Sequence, residues 1–307
     1  MELSVIIESV GSLFTIIMVG LFAGKKKIIT ESMNKGLVDI LILIALPCMI
    51  FSSFLFTYDG NIKSNLAKTF IYSGAAFVII VIVSYLLVVP VKGEKKTILH
   101  FANVFVNTGY IGFPILNAIY GSEGVVYGSI FNIFFVILVW TYGLMLYRGI
   151  PQSKNLKGEI VKILLNPSIL AVCAGILTMI FEIPIPAMIS TAVRSIGNIT
   201  GPLSMLIIGV ILSHVKPKTH LKDWTLYYGI VIKLIIIPAI ILGIAFLIGD
   251  MSKPALTVII MSAMPASAMT SIFAEQFDKE KEFAAILVSL TTLLSLVSST
   301  VLLKIIL

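Results

Sequence analysis

The stretch HFANVFVNTGYIGFPILN, residues 100–117, decides the fold class, because it is apolar overall yet contains residues that an unbroken membrane helix avoids. Pro114 has no backbone N–H, and its ring clashes with the carbonyl one turn earlier, while Gly109 and Gly112 allow the backbone to unwind. Unwound backbone at membrane depth must be buried in protein or line a cavity. We therefore expect this helix to break between Gly109 and Pro114, at a functional site.

The composition indicates an integral membrane protein. The hydrophobic fraction is 58% and the charged fraction is 12%, about half of what soluble domains carry. The apolar runs recur along the whole chain, and each approaches the ~20 residues that cross a bilayer core. The first run, 5–24, has no basic leader before it and lysines after it, so we interpret it as a retained span and not a signal peptide.

Ten apolar runs predict ten transmembrane helices and leave almost no soluble mass. We place them at 5–24, 36–56, 67–91, 97–119, 124–147, 159–181, 187–213, 224–248, 254–277 and 283–305. With the N-terminus outside, the cytoplasmic connections hold sixteen lysines and arginines against five on the outer side. This positive-inside bias predicts a multi-pass cell-membrane protein with both termini outside. The net charge of +7 is spread over these short clusters, which argues against a nucleic-acid partner.

An internal repeat divides the chain into two halves, 1–150 and 151–307. An offset of 155 residues superposes Gly20 on Gly175, Pro47 on Pro202, and Tyr72 on Tyr227. Five spans per half is an odd number, so the second half enters the membrane in the opposite orientation. The predicted fold is thus all-α, with two inverted five-helix repeats, as in many secondary transporters.

Span nine has its own break at Pro265, in a position that corresponds to span four. Two interrupted helices at matching positions indicate a midplane site where helices four and nine cross, with the N-terminal ends of half-helices presenting unpaired N–H groups and positive dipole ends to an anion. The predicted substrate-binding residues are Asn103, Asn107, Thr108, Gly109, Tyr110, Pro114, Ser262, Pro265, Ser267 and Thr270. For each asparagine alone, the simpler alternative is a hydrogen bond that joins two helices.

Three further polar residues lie within or near spans. Asn132 is either a link between helices or a neighbour of the site. Lys233 is a cation well inside a span; we expect it to snorkel or to pair with an acid such as Asp39, and attraction of an anionic substrate is the alternative. Glu275 could couple transport to protons, but its place near an interface favours simple solvation. Sodium coupling through oxygens near Asn103 and Asn107, and uncoupled transport, both stay open, and no cofactor or bound metal is expected.

Three segments together resemble prokaryotic members of the auxin efflux carrier family, in the bile acid/auxin-type transporter superfamily. They are NTGYIGFP (107–114), LPCMIFSS (46–53), and MPA (264–266) followed by FAE (273–275). The resemblance implies a scaffold of spans 1, 2, 6 and 7, a transport domain of spans 3–5 and 8–10, and elevator-type movement of organic anions such as malate or malonate. Plant members have a proline where this chain has Val106, so auxin is not carried over as the substrate.

The leading hypothesis is a secondary transporter for a small organic anion, a carboxylate or dicarboxylate. The alternatives are a membrane receptor that binds a carboxylate without moving it, and a membrane-embedded enzyme. The enzyme hypothesis is weak, because the sequence offers no nucleophile beside a base, and His100, His214 and His220 fall near predicted interfaces. The expected partners are the anion, the lipid bilayer and, through the scaffold helices, a second copy of the chain.

Overall fold

The computed structural model describes residues 3–55, 62–148, 161, 165–213 and 222–306. Within these ranges the regular elements are helices, and the β-type pairing consists of one isolated bridge between Val106 and Ala266. The helices of the first half are α1 (Leu3–Lys25), α2 (Glu31–Ile40), α3 (Leu46–Ser53), α4 (Ile62–Leu87), α5 (Glu94–Val104), α6 (Phe113–Leu138) and α7 (Leu144–Arg148). Those of the second half are α8 (Pro167–Ile180), α9 (Ala187–Asn198), α10 (Thr200–Ser213), α11 (Trp224–Val231), α12 (Ile237–Ile248), α13 (Lys253–Ser262), α14 (Met269–Gln276) and α15 (Lys281–Ile306).

Six helical stretches of the described chain are long and apolar enough to cross a membrane. They are Glu31–Ser53, Ser64–Leu87, Thr108–Tyr147, Ala187–Ile211, Trp224–Ile248 and Lys281–Ile306. Shorter apolar helices cover Thr15–Lys25, Pro167–Ile180 and Lys253–Ser262. These stretches confirm the all-α, multi-pass membrane class, while the count of ten spans, the inverted halves and the outside termini stay predictions.

Irregularities within the long helices have local causes. In α6, Gly121 has φ 59° and ψ −146°, a conformation that glycine adopts without strain, so the helix kinks between the fourth and fifth predicted spans. Within the described residues, four short π-helical segments adjoin α-helices: Leu41–Ala45, Thr108–Gly112, Val139–Gly143 and Ile232–Ile236. The first and last of these precede Pro47 and Pro238, whose missing N–H groups a widened turn accommodates.

Two compact units make up the chain. Unit 1 comprises Met1–Ala67, Gly109–Ile133 and Ile160–His214, and unit 2 comprises Lys68–Thr108, Phe134–Glu159 and Val215–Leu307. In unit 1 the backbones of α1 and α10 approach closely: a Cβ atom on Gly209 would lie 2.1 Å from the carbonyl oxygen of Ile17. Apolar residues of α3, α6 and α8, among them Ile50, Phe113 and Val172, form a buried core in the same unit.

Unit 2 is stabilised by an aromatic cluster and by polar links at its helix ends. Phe101 packs against Phe105, Tyr147 and Phe273, with ring centroids 4.4–5.3 Å apart. Lys95 Nζ lies 2.7 Å from a carboxylate oxygen of Asp223. These contacts join α5, α7, α11 and α14, and thereby fix α5 relative to α14.

Candidate functional site

The two broken helices meet in unit 2 through their extended segments. Helix α5 ends at Val104, α13 ends at Ser262, and the backbone between them pairs in antiparallel fashion. The N–H of Asn107 donates to the carbonyl of Pro265 (2.8 Å), and the N–H of Ser267 donates to the carbonyl of Phe105 (2.9 Å). Each break thereby satisfies backbone groups that the other leaves free. We call residues 105–107 and 265–267 the paired breaks.

The first break lies earlier than the sequence predicts. We expected unwinding between Gly109 and Pro114, but the extended residues are 105–107, and residues 108–112 form a π-helical turn. The reason is tertiary: pairing with residues 265–267 supplies partners for Phe105 and Asn107, which no local feature of the sequence indicates. The predicted break at Pro265 is where the structure has it.

Lys233 is bound to the end of α5, and no acidic side chain that the structure describes forms an ion pair with it. Its side chain is 1% exposed, and its Nζ lies 3.0 Å from the backbone oxygen of Asn103. That carbonyl is free because the N–H one turn later, on Asn107, donates to Pro265. A cation at the C-terminal end of a helix is also favoured by the helix dipole. The expected snorkelling or pairing with Asp39 is therefore wrong: the ammonium is buried and compensates the broken helix.

The side chain of Asn103 is completely buried at the same place. Neither Oδ1 nor Nδ2 of its amide has a hydrogen-bond partner. Thr270 Oγ1, on α14, is also buried without a partner. Buried polar atoms are nearly always hydrogen-bonded, and an exception calls for a bound water, an ion or a ligand. The amide of Asn103 is thus a free polar group beside the paired breaks.

The structure divides the predicted site residues between the two units. Seven of them lie in unit 2, at or near the paired breaks: Asn103, Asn107, Thr108, Ser262, Pro265, Ser267 and Thr270. Gly109, Tyr110 and Pro114 lie in unit 1, where Tyr110 packs against Leu41 and Ile207. Asn132 is buried in unit 1 and is engaged in a contact. Glu275 belongs to α14, and its side chain lies outside the described part of the structure.

His100, expected near a membrane interface, is buried within the protein. It is 3% exposed, with Nδ1 2.8 Å from Ser84 Oγ and Nε2 2.6 Å from Tyr142 Oη. This places a serine beside a base, an arrangement that the sequence did not reveal. Ser84 is itself fully buried and Tyr142 is partly buried, so the trio is a hydrogen-bonded network that links α4, α5 and the π-helical segment Val139–Gly143. His214 and His220 lie outside the described residues.

A polar cavity of about 330 Å³ in unit 1 was missed by the sequence reasoning. Its lining comes from five helices, α1, α3, α6, α9 and α10, and includes Pro114, Asn117, Arg194, Asn198 and Gly201. Arg194 was interpreted only as one of the outer charges. The one signal that could have drawn attention to it is that Arg194 is one of two arginines in a chain with twenty lysines.

Comparison with known proteins decides the family. The model of a family described as membrane transport protein matches residues 5–303. The chain belongs to the membrane transport protein family. The match confirms the resemblance to auxin efflux carriers drawn from residues 46–53, 107–114 and 264–275, and membership makes the chain a membrane transport protein.

Two archaeal transporters are similar to the chain over most of its length. An uncharacterized transporter of Methanocaldococcus jannaschii is 25% identical over 298 residues, which cover 92% of each chain. An uncharacterized transporter of Methanothermobacter thermautotrophicus is 22% identical over 295 residues, which cover 95% of each chain. Both names support transport for this member of the membrane transport protein family and leave its substrate to be inferred from the site.

Proposed function

We propose that this chain is a secondary transporter that moves a small organic anion, a carboxylate or dicarboxylate, by an elevator-type alternating-access mechanism. The observation that carries the proposal is the pair of interrupted helices, joined at residues 105–107 and 265–267, with the unpartnered amide of Asn103 beside them. Interrupted helices that meet inside a transporter are where substrates and coupling ions bind in several transporter folds.

An anion suits the charge near the paired breaks. Among the side chains that the structure describes, Lys233 is the only buried lysine, arginine, aspartate or glutamate, and its protonated form is positively charged. An ammonium in low dielectric raises the local potential and attracts a negative group. The N–H groups of the Asn103 amide can donate hydrogen bonds to a carboxylate. Together these groups support a carboxylate over a cationic or neutral substrate.

Elevator movement requires two bodies, and the division of the chain into two compact units supports it. Unit 2 contains the paired breaks, so it is our candidate for the moving body. Spans 1, 2, 6 and 7, which fall in unit 1, are our candidate scaffold and the surface through which a homodimer would form. The segment 109–133 belongs to unit 1 by its contacts, although the family resemblance implies that spans 4 and 5 lie in the transport domain.

Coupling is proposed to be independent of sodium. The freed carbonyl of Asn103 is an oxygen that a sodium ion near Asn103 and Asn107 would use, and Lys233 Nζ already binds it. In its protonated form, Lys233 supplies at that point the positive charge that a bound ion would otherwise provide. Proton coupling and uncoupled movement are the remaining alternatives.

Flux through reconstituted protein tests the proposal. The purified chain is inserted into liposomes, and uptake or exchange of labelled malonate, malate and succinate is measured with an imposed anion gradient. We expect saturable uptake that empty liposomes do not show. Binding of these anions without flux, across gradients of either direction, would instead favour the receptor alternative.

A further inference from the structure

Lys233 is buried in unit 2 with one hydrogen-bond acceptor. Its side chain is 1% exposed, and within the part of the chain that the structure describes it donates to a single atom, the backbone oxygen of Asn103, at 3.0 Å. An ammonium has three N–H groups, so two of them have no acceptor among the described residues. A neutral amine can also donate to the Asn103 carbonyl, which therefore keeps its partner whether Lys233 is protonated or neutral.

The helices that pack against Lys233 supply no described negative charge to it. The segment Ile232–Ile236 packs against α5, α11, α12 and α15, and Gly229, one turn before Lys233, faces Leu99 and Leu287. The titratable or charged side chains of these four helices are Glu94, Lys95, Lys96 and His100 on α5, Tyr227 and Tyr228 on α11, and Lys281, Glu282 and Lys304 on α15. The two acids among them stand in the first turns of α5 and α15, whereas Lys233 binds the last turn of α5.

The histidine and the second tyrosine on these helices have other partners. His100 binds Ser84 and Tyr142 through its two ring nitrogens, and Tyr228 Oη donates to the carbonyl of Leu87. A proton on Lys233 is thus compensated, within the described residues, by a neutral carbonyl at a helix end.

An anion at the paired breaks would change the free energy of that proton. Removing an ammonium from water costs free energy, and a neutral carbonyl at the end of a helix returns only part of it. A carboxylate at the Asn103 amide would lie within the length of one residue from Nζ, because the amide and the carbonyl that Nζ binds belong to the same asparagine. Opposite charges at such a separation attract strongly in low dielectric, so the bound anion favours the ammonium form.

We infer that Lys233 takes up a proton together with the anion, so that the transporter moves carboxylate and proton in the same direction. The inference rests on the proposed function and names its coupling. If the proton on Lys233 strengthens anion binding, then the anion strengthens proton binding by the same factor. The proton comes from water on the side where the anion enters, adds to the lone pair of Nζ, and returns to water on the other side when the anion leaves. Doubly charged malonate therefore moves with one net negative charge.

The first experiment counts the protons that the purified full-length protein takes up when it binds malonate. Calorimetric titrations are run in buffers of different ionisation enthalpy, because the observed heat then depends on how many protons the buffer gives up. The pH range is about 6.5–8.5, where carboxylic acids are ionised. We expect net uptake that approaches one proton per malonate within this range.

Four variants assign the proton to its group. A guanidinium does not lose its proton, so Lys233→Arg should bind malonate without proton uptake. Lys233→Met removes the charge and should weaken binding by about tenfold or more, again without proton uptake. Lys304→Arg makes the same substitution at an exposed lysine of α15 and should behave as wild type, and Glu275→Gln should keep the proton uptake.

Liposomes that contain a pH-sensitive dye connect binding with transport. Malonate uptake through the wild type should acidify the lumen more than in empty liposomes, and Lys233→Arg should move malonate without this acidification. Circular dichroism checks the fold of each variant, and if a Lys233 variant does not fold, the proton count of the wild type still decides.

Three outcomes would overturn the inference: no net proton uptake by the wild type at any pH in the range, uptake that folded Lys233→Arg or Lys233→Met retains, or uptake that Glu275→Gln loses. Failure of the proposed function looks different. Malonate flux without proton movement would overturn only the role of Lys233, whereas the absence of both carboxylate binding and flux would overturn the proposed function and this inference with it.

Discussion

Replacing Asn103 with leucine should make the protein more stable and less active at the same time. The side chain is fully buried, and both polar atoms of its amide are without partners. Leucine branches at Cγ as asparagine does and has no polar atom, so it removes the unsatisfied groups without opening a cavity. The backbone oxygen of Asn103, which accepts the hydrogen bond from Lys233, is unchanged by the substitution.

The magnitude follows from the price of burying an unsatisfied polar group. One such group destabilises the folded state by about 1–3 kcal/mol, and we expect Asn103→Leu to recover about that amount of unfolding free energy. Leucine also has a higher helix propensity than asparagine, which acts in the same direction near the end of α5. At about 2 °C per kcal/mol for a chain of this size, the apparent melting temperature should rise by about 2–6 °C.

The assay combines thermal unfolding in detergent with uptake in liposomes from the same preparation. Ser73→Ala is the matched control, because the Ser73 hydroxyl is also fully buried without a partner in unit 2 but lies on α4. It should raise the melting temperature modestly and leave uptake at the wild-type rate. Asn103→Leu should raise the melting temperature and reduce uptake by about tenfold or more, since each 1.4 kcal/mol of lost ligand interaction is tenfold.

Two results would refute this reasoning. If Asn103→Leu lowers the melting temperature, the amide makes a stabilising contact and is not a free group. If the variant is more stable and transports at the wild-type rate, then the amide is not used by the substrate, and the site at the paired breaks is wrongly assigned.

Three further predictions concern coupling, packing and pH. Replacing sodium with choline on both sides of the liposome membrane should change the initial uptake rate by less than about twofold, because Lys233 already binds the Asn103 carbonyl. A loss of about tenfold would contradict the proposal that transport is independent of sodium. Gly209→Ala should lower the melting temperature, because its methyl group would meet the backbone of α1, and overpacking of this kind destabilises by about 1–3 kcal/mol. The control variant Gly243→Ala should not lower it, because the space around the Cβ position of Gly243 is open. Equal melting temperatures for the two variants would be inconsistent with the close approach of α1 and α10. Partial burial raises the pKa of Asp223, but hydrogen bonds from Lys95 and Thr225 outweigh this effect and lower the pKa to about 2. The carboxylate therefore stabilises the fold above pH ~4, and this contribution is lost as the pH falls toward ~2. Unfolding curves should therefore show that Asp223→Asn is less stable than wild type at pH 6, by no more than about 1 kcal/mol because the ion pair is partly exposed. The difference should shrink at lower pH, and a difference that grows on acidification would contradict the prediction.

The membrane class and the helix positions could be predicted from the sequence because the bilayer imposes them locally. A span must be apolar along its own length, so runs such as 187–213 and 224–248 coincide with helices of the structure. Pro265 likewise breaks its helix through its own missing N–H. These properties belong to single residues and their neighbours, and a reading along the chain finds them.

What the sequence could not reveal depends on contacts between distant segments. The extended conformation of residues 105–107 is stabilised by pairing with 265–267, and Gly109 and Gly112, which look like the weaker points of the helix, lie in a π-helical turn instead. The role of Lys233 depends on which carbonyl the break leaves free. The cavity that Arg194 lines is bounded by five helices, and no spacing along one helix predicts it.

Anion flux in liposomes tests the central claim most directly. Purified protein should accumulate or exchange labelled malonate or succinate in a saturable way, Ser73→Ala should do so at the wild-type rate, and Asn103→Leu should lose most of the flux while remaining folded. Flux that is equal in wild type and Asn103→Leu, or no flux of any small carboxylate under an imposed gradient, would contradict the account of an anion transporter with its site at the paired breaks.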